Sequence, residues 1–268
     1  MAKQYYQSYE ERYRAVQSVS EDILWGHTPE DEELRAFLSG WVEKNGLQGK
    51  RIVEFCCGEG GSGVVLSQLG CPYQGYDIAP TAVRKANLLL KDFPSASADL
   101  RNLVNEPLPA CAFDAAFDSM GLHMLVTDSD RSAYLRNMFA CLRPGSPAFF
   151  FHQSYREDAY SGPVASFEEW KAITGCDYTA PQERTIGDSG KTVLIPLVPA
   201  RAKNRTDYIA EMEQAGFIVD EFIEMGENRK CVYSAASSST SPNKRSKPNE
   251  NADFQRFPEA ERRYRRAD

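Results

Sequence analysis

Five short apolar runs alternate with predicted helices between residues 51 and 154 of this chain. One of the intervening helices ends at Gly70 and another begins with Pro80, a residue favoured at the first position of a helix. Parallel strands need such crossover helices, so the pattern predicts an α/β fold with a parallel sheet covered by helices on both faces. The runs predicted as strands are RIVEFCC (51–57), YQGYDI (73–78), SASADL (95–100), FDAAFDSM (113–120) and PAFFFHQS (147–154).

The alternation stops on both sides of this region. Residues 155–203 contain one predicted helix, ASFEEWKAITG, and a predicted hairpin that turns at residues 187–190. After them we predict a helix, TDYIAEMEQAGF, and two antiparallel strands, FIVDEFIEM and RKCVYSAA. Residues 1–45 have a helical pattern, and TPEDEELRAFLSGWVEKNG predicts a helix with Thr28 as its N-cap and Gly46 just past its end.

The composition limits the classes of partner. The chain has 268 residues, 31 Lys and Arg against 38 Asp and Glu, and a formal net charge of −7. An acidic protein has no long-range attraction for nucleic acid or an anionic membrane, so we expect neither as a partner. No apolar run approaches the roughly 18–20 residues needed to cross a bilayer, and the opening MAKQYYQSYEERYR lacks the apolar stretch of a signal peptide.

The seven cysteines are distributed without a CxxC pair, and the three histidines are far apart in the sequence. This distribution favours free thiols over a disulfide framework or a zinc site, so we expect no metal. Free thiols are typical of a reducing compartment, and we predict a cytoplasmic protein. Residues 237–268 have three aromatic and almost no aliphatic residues, with eight basic side chains against five acidic ones. Such a segment buries too little apolar surface to fold, so we predict a disordered tail.

The most informative motif is the glycine-rich segment IVEFCCGEGGSG (52–63), which follows a predicted strand and opens a predicted helix. Gly58, Gly60 and Gly63 form a GxGxxG pattern, and Asp77 ends the second strand 19 residues after Gly58. Glycines let a ligand approach the backbone at a helix N-terminus, and the carboxylate can accept both hydroxyls of a ribose. We therefore predict a nucleoside-containing cofactor at the carboxyl ends of the first two strands.

Glu54 bears on which cofactor that is, because a carboxylate interrupts an otherwise apolar strand. A buried charge needs a partner, so Glu54 is expected to meet a cation or a set of N–H donors. S-adenosylmethionine carries an ammonium and a sulfonium group, whereas NAD has no cation comparably placed. The other interpretation, compatible with the first, is that Glu54 only binds neighbouring backbone N–H groups.

From about Gly49 to Ala235 the chain resembles the class I S-adenosylmethionine-dependent methyltransferases. The family pattern is an acid, a glycine-rich turn, a second acid about twenty residues on and an aspartate that ends the third strand. Further resemblances are FDAAFDSMGLHML at the fourth strand, CLRPGSPAFFF before the fifth and QAGFIVDEF before the sixth. The matching residues are Glu54, the turn 56–60, Asp77 and Asp99. One departure is Cys56, which stands where the family usually has glycine and leaves the shape of the turn in doubt.

The resemblance implies a Rossmann-like sheet of seven strands, mostly parallel, with an antiparallel last strand and helices on both faces. It also implies domains: an N-terminal helical lid (1–48), a methyltransferase core (49–236) with a substrate-side insertion (155–203), and the tail (237–268). The N-terminal segment is loosely similar to the thiopurine and thiol methyltransferase group, in which a tryptophan covers the cofactor. Trp25 matches that position, with Tyr13 as a possible companion.

The resemblance further implies site residues. Glu54, Cys56, Gly58 and Gly60 would lie near the methionine end of the cofactor, and Trp25 would cover it. Asp77 would hold the ribose hydroxyls, and the adenine would meet Ile78, Asp99 and Leu100. Asp118 to Met120 would face the transferred methyl group.

Three further residues are candidates on the acceptor side. His123 follows Asp118 by five residues on the same strand-end loop, and we expect it to be a catalytic base or an acceptor-binding group, or else a partly buried core histidine. His152 and Tyr155, at the end of the fifth strand, are candidate substrate-binding residues; His152 could instead belong to the core.

The sequence thus predicts an S-adenosylmethionine-dependent methyltransferase that transfers a methyl group in line to an O, N or S atom of a small molecule, as a monomer or homodimer. Two alternatives remain at this stage. One is an NAD-dependent oxidoreductase, which the GxGxxG pattern and Asp77 would also suit. The other is a methyltransferase-like protein that binds without catalysing, which Cys56 would favour.

Overall fold

The computed structural model describes residues 4–19, 21, 24–186, 190–226 and 229–238. Its centre is a seven-stranded sheet with the order β3-β2-β1-β4-β5-β9-β8. Strands β1 to β5 are parallel, and β9 is antiparallel to both of its neighbours. The strands are β1 (Ile52–Phe55), β2 (Tyr73–Asp77), β3 (Ala96–Leu100), β4 (Ala115–Ser119), β5 (Pro147–Ser154), β8 (Phe217–Met225) and β9 (Lys230–Ser237). The predicted fold class is confirmed, with the antiparallel strand inserted between β5 and β8.

Helices cover both faces of this sheet because its central strands are apolar on both sides. On one face α2 and α3 pack on residues such as Phe117 and Phe149, and the ring of Trp41 stacks on Phe149. On the other face α5 and α7 pack on Phe150 and Tyr233. The helices are α1 (Tyr9–Val19), α2 (Glu32–Asn45), α3 (Gly61–Gln68), α4 (Pro80–Leu89), α5 (Asp128–Cys141), α6 (Phe167–Thr174) and α7 (Arg205–Gln214).

Helix α2 begins later than predicted. Its N-cap is Asp31, whose carboxylate accepts hydrogen bonds from the backbone N–H groups of Glu33 (3.0 Å) and Leu34 (3.1 Å). The prediction of Thr28 was wrong because a second capping residue follows it three positions later and makes these bonds instead. Gly46 adopts φ +59° just past the helix end, as predicted.

Three elements lie outside the sheet and its covering helices: α1, α6 and the hairpin of β6 (Pro181–Thr185) and β7 (Thr192–Pro196). The hairpin is confirmed, but residues 187–189 of its predicted turn are outside the described residues. So is the predicted tail, except that Ser237 ends β9 and Ser238 donates its N–H to Gly216. Helix α1 packs on the hairpin through Val16, which contacts Ile186, Val193 and Ile195 in a small apolar cluster.

Candidate functional site

The glycine-rich turn leaves β1 at the carboxyl edge of the sheet and enters α3. Cys56, Gly58 and Gly60 all have positive φ, at +58°, +52° and +86°. Glycine adopts this conformation at little cost, so the two glycines are explained by the turn itself. A Cβ at Gly60 would lie 2.9 Å from the Cβ of Ala86, so this glycine also lets α4 approach. Cys56 adopts the same left-handed backbone conformation although it is not glycine. The turn therefore forms with cysteine at this position.

Asp77 joins this turn to the end of β2. Its carboxylate accepts hydrogen bonds from the backbone N–H groups of Gly58 (2.8 Å) and Ala79 (2.9 Å). The side chain is buried, and burial raises the pKa of the carboxyl despite these donors. Each carboxylate oxygen can accept a further hydrogen bond, so Asp77 retains capacity for a ligand's hydroxyl groups.

Residues from the ends of β2 and β3 lie side by side. Asp77 pairs with Leu100 in the parallel register, and Ile78 follows as a half-buried residue. Leu100 is 56% exposed, and Asp99 is exposed with its carboxylate 3.1 Å from the side-chain amide of Gln74. The structure therefore gathers these predicted residues along one edge beside the glycine-rich turn.

Glu54 lies below the turn, fully enclosed. Its two oxygens are bound by hydroxyl groups, that of Ser62 at 2.5 Å and that of Tyr73. Desolvation raises the pKa of Glu54 to about 8. Among the described residues, hydroxyls rather than backbone N–H groups bind Glu54, and hydroxyls can bind either the protonated or the ionised carboxyl.

Helix α1 lies over the carboxyl edge of the sheet and brings two tyrosines to it. A Cβ at Gly58 would lie 2.9 Å from the hydroxyl of Tyr13, so Tyr13 occupies the space directly above the turn. Burial and the nearby Asp77 raise the pKa of Tyr13. The Tyr9 hydroxyl bonds to the Met124 sulfur and to the carbonyl of Pro199 (3.0 Å). These two rings form a roof over the turn and the β4 loop.

Glu59 binds the segment 25–27 to the glycine-rich turn. Its carboxylate accepts the backbone N–H groups of Trp25 and Gly26, and it pairs with the Lys85 ammonium at 3.0 Å. A Cβ at Gly61 would overlap the carbonyl oxygen of His27, so the 25–27 segment lies directly on the start of α3. Sequence reasoning missed Glu59, because nothing in the motif indicates that this acid binds a segment over thirty residues away.

The start of α1 and the residues before it make further contacts with the core. The carboxylate of Glu10 accepts hydrogen bonds from the N–H (3.0 Å) and hydroxyl (2.7 Å) of Thr81 at the start of α4. Tyr5 donates to Asp130 on α5 at 2.8 Å, and its ring stacks on Phe167 of α6 at 4.9 Å. The N-terminal segment thus contacts both the core and the 155–203 insertion.

The end of β4 carries a buried polar network. Asp118 is 0% exposed. One oxygen accepts the Tyr134 hydroxyl at 2.5 Å, and the other accepts the Gly121 N–H and the Gln153 amide, both at 2.8 Å. The Tyr134 hydroxyl also lies 3.4 Å from the Cys56 sulfur, so the network reaches the glycine-rich turn.

His123 sits on the loop that Asp118 holds. Its ring Nδ1 is 3.2 Å from Gln153 Oε1 and 3.2 Å from the backbone nitrogen of Ser154. Burial lowers the pKa of His123 to about 4, so the ring is neutral near pH 7. Met120, three residues earlier, is half-buried with φ +59°, and its N–H bonds to the carbonyl of Phe151.

A family of known proteins shares this arrangement of turn, acid and sheet. The profile of the methyltransferase domain family matches residues 52–145, which span β1 to the loop before β5 and include Glu54, the turn, Asp77 and Asp118. This match, over 94 of the 268 residues, supports the predicted class I S-adenosylmethionine-dependent methyltransferase family. The chain's cofactor is S-adenosylmethionine, and neither the NAD-dependent oxidoreductase nor the non-catalytic alternative is retained.

Solved structures show the same methyltransferase fold at low identity. The 1,6-didemethyltoxoflavin-N1-methyltransferase of Burkholderia thailandensis, solved with 1,6-didemethyltoxoflavin and S-adenosylhomocysteine, is 12% identical with a TM-score of 0.59, covering 87% of each chain. The CcbJ methyltransferase of Streptomyces caelestis is 14% identical with a TM-score of 0.61, covering 85% of this chain and 99% of that one.

A third structure is a Haloferax volcanii putative methyltransferase in complex with the Trm112 methyltransferase activator. It is 12% identical with a TM-score of 0.58, covering 88% of this chain and 97% of the other. Comparison with curated proteins finds no match.

The residues of this methyltransferase fit its cofactor. The turn offers a cradle without side chains at Gly58, in space that a Cβ would fill, beside the N-terminus of α3 and the carboxylate of Asp77. No helix among the described residues is long and apolar enough to span a bilayer.

Three predicted residues have their side-chain contacts outside the glycine-rich turn and the network around Asp118. His152 bonds to Glu33 of α2 at 3.0 Å and to Lys230 of β9 at 3.2 Å, on the α2 side of the sheet. The ring of Tyr155 packs beside Phe222 of β8. The Trp25 ring lies beside the Arg12 guanidinium, 4.9 Å from it, and contacts the hairpin cluster.

Proposed function

We propose that this methyltransferase acts on a small-molecule acceptor at an N, O or S atom. The observation that carries the proposal is the position of two tyrosines of α1: the Tyr13 hydroxyl lies over Gly58 and the Tyr9 hydroxyl bonds to Met124, so α1 covers part of the carboxyl edge that a polymer would have to approach. An enclosed, largely apolar site is typical of small ligands. The Burkholderia neighbour, which is described with a bound small-molecule substrate, is consistent with it.

For the cofactor, we propose that Asp77 binds the ribose hydroxyls and that Ile78, Asp99 and Leu100 line the adenine. The turn of Cys56, Gly58 and Gly60 would take the methionine end, above Glu54. Trp25 would act mainly through its segment, because its N–H is bound to Glu59 and its ring packs on Arg12. Tyr13 must shift or become a direct contact, since its hydroxyl lies above Gly58.

On the acceptor side, we propose His123 and Met120 as contacts and Asp118 as the residue that fixes their loop. The oxygens of Asp118 are already engaged by four donors, so its contribution is positional. We leave His152 and Tyr155 out of the acceptor site, because Glu33 and Lys230 bind the first and Phe222 packs on the second.

When bound, S-adenosylmethionine supplies an activated methyl group: the acceptor's lone pair forms the new bond to carbon while the carbon–sulfur bond breaks and its electron pair stays on sulfur. The protein's contribution is to orient the two reactants and to exclude water. The buried loop 119–124 orients the acceptor, and the roof of α1 excludes water. We also propose that the protein works in the cytoplasm, where its free thiols stay reduced, as a monomer or homodimer.

The test is an acceptor screen with S-adenosylhomocysteine release as the readout. The panel contains small amines, ring nitrogens, thiols and phenols, next to a mixed protein extract and total RNA. We expect release with at least one small-molecule class and none with the polymers, and loss of that release in Asp77→Ala. Release with protein or RNA alone would overturn the small-molecule assignment while leaving the methyltransferase activity intact.

A further inference from the structure

The imidazole of His123 has two competing neighbours at one ring nitrogen. Nδ1 lies 3.2 Å from the backbone nitrogen of Ser154, which always donates, and 3.2 Å from Gln153 Oε1, which always accepts. Only one can be satisfied, because Nδ1 either carries a proton or offers a lone pair. In a neutral ring this choice also decides whether Nε2 carries the proton and donates, or is unprotonated and accepts.

The neighbours of Gln153 decide between them. Its amide nitrogen donates to Asp118 at 2.8 Å, which fixes the amide orientation and leaves Oε1 toward His123. That oxygen already accepts the backbone N–H of His123 at 3.1 Å. Oε1 therefore needs no proton from Nδ1, whereas the Ser154 N–H would lose this partner if Nδ1 were protonated. Unpaired backbone donors are rare in proteins, so the Ser154 bond prevails.

Within the proposed function, on which this inference rests, we propose that His123 is fixed with its proton on Nε2 and meets the methyl acceptor as a hydrogen-bond donor rather than as a general base. Among the described residues, no side chain or backbone group binds Nε2, so that N–H is free to meet a ligand. His123 is then an acceptor-binding residue, and Gln153 and Ser154 are its positioning residues.

A local distortion of β5 delivers both positioning residues. The register of β5 against β9 shifts between Phe150 and Gln153, and His152 inside that shift has φ +53°. Positive φ is costly for a residue other than glycine, and such bulges commonly re-aim side chains beside active sites. Here the bulge turns Gln153 toward Asp118, while His152 faces the opposite side and binds Glu33.

The charges around His123 keep the ring neutral. Burial is the main reason that His123 does not take a second proton, and Arg131 on α5, Lys230 on β9 and His152 on β5 act in the same direction. The Gln153 side chain opposes this lowering of the pKa but does not reverse it. Asp118 is the nearest acid of the network, but its oxygens are taken by Gly121, Leu122, Tyr134 and Gln153. Both the tautomer and the charge therefore point to a neutral N–H donor.

This assignment narrows the acceptor class. A donor cannot remove a proton from an alcohol, so the accepting atom must be nucleophilic near neutral pH without losing a proton to His123. A neutral amine, a ring nitrogen or an ionised thiol meets that condition. With an amine, the positive charge moves from sulfur to nitrogen as the bonds exchange, and the amine loses its proton to water afterwards.

The test is nitrogen NMR of the protein labelled with ¹⁵N-histidine, recorded with and without S-adenosylhomocysteine from pH 8 to pH 5.5. The chain has only three histidines, so His123→Asn assigns the signals by loss, and His27→Asn with His152→Asn assigns them by elimination if that variant misfolds. We expect a pyridine-like shift at Nδ1 and a pyrrole-like shift at Nε2 of His123, unchanged over this pH range.

The reverse pattern, with the proton on Nδ1, would overturn the proposal and restore His123 as a possible base. Exchange-averaged shifts, or titration within the range, would overturn it equally. In Gln153→Met we expect the same tautomer, because Ser154 still donates; a switch would show that Gln153 sets it. Calorimetry with S-adenosylhomocysteine on the same sample reports on the proposed function independently, since absent binding would count against that function and not against the tautomer.

Discussion

The two halves of the proposed site, one for the cofactor and one for the acceptor, are built in different ways. The cofactor half, at the ends of β1 to β3, consists of a continuous turn and one carboxylate that binds backbone N–H groups on either side of it. The acceptor half, at the ends of β4 and β5, is a network of side chains from distant parts of the chain, centred on Asp118 and Gln153. Backbone shape governs the first, and buried side-chain hydrogen bonds govern the second.

The two halves are joined from above and below. Above them, residues 5–13 reach from Thr81 on the cofactor side to Met124 and Asp130 on the acceptor side. Below them, the Tyr134 hydroxyl connects Cys56 to Asp118. Changes to the roof should therefore affect both halves, and changes within one half should stay there.

Deleting residues 1–27 should have the largest effect. The deletion removes Tyr9, Tyr13 and the segment bound by Glu59, so water enters both halves. We expect methyl transfer to the acceptor used by the full-length chain to be abolished, with the far-UV circular dichroism of the sheet retained. Tyr13→Phe is the matched control, which keeps the ring and should remain active. Unreduced turnover in the deletion would show that α1 is only scaffold.

Asp77→Ala should damage the cofactor half alone. Hydrogen bonds to a charged group contribute about 1.5–3 kcal/mol each, so losing even one ribose contact weakens binding at least about tenfold. Asp99→Ala is the control, since this exposed carboxylate is paired with Gln74 and should matter less. Calorimetric titration with S-adenosylhomocysteine measures both. Equal affinity in a folded Asp77 variant would contradict the placement.

Trp25→Ala and Trp170→Ala should separate cofactor retention from folding. The Trp25 ring stacks near Arg12, a contact of about 0.5–1 kcal/mol, so its loss should weaken cofactor binding a few-fold. Trp170 is 6% exposed and packs with Val126 and Val164, so its loss should lower the melting temperature and leave affinity nearly unchanged. If the two variants behaved alike in both measurements, the specific role of Trp25 would be wrong.

Glu54→Gln should change the pH dependence of stability. The folded-state pKa of Glu54 is raised from 4.5 to about 8, so the folded chain holds a proton that the unfolded chain releases. Stability from this group is complete below pH 4.5 and is lost as pH rises toward 8. We expect the melting temperature of the wild type to fall more between pH 5 and pH 8 than that of the variant. Parallel curves would contradict the raised pKa.

The sequence predicted that the glycine-rich turn and Asp77 lie together at one edge of the sheet, because the information for this arrangement is local. Strand β1, the turn and Asp77 are consecutive or periodic features, and their spacing alone places them at one edge. The acceptor half was only partly predictable. His123 could be placed on the loop after β4, but Gln153 and Tyr134 could not be linked to it, since that required the bulge at His152 and the packing of α5. The same bulge explains why His152 itself faces α2.

The most direct test of the account is a crystal structure of the protein with S-adenosylhomocysteine. We expect the ribose hydroxyls within hydrogen-bond distance of the Asp77 carboxylate, the amino-acid end above the Cys56–Gly60 turn, and the roof of α1 in place with the Tyr13 ring shifted from Gly58. A nucleoside bound away from Asp77, or one that leaves the turn uncovered, would contradict the assignment of the cofactor half and the proposals that depend on it.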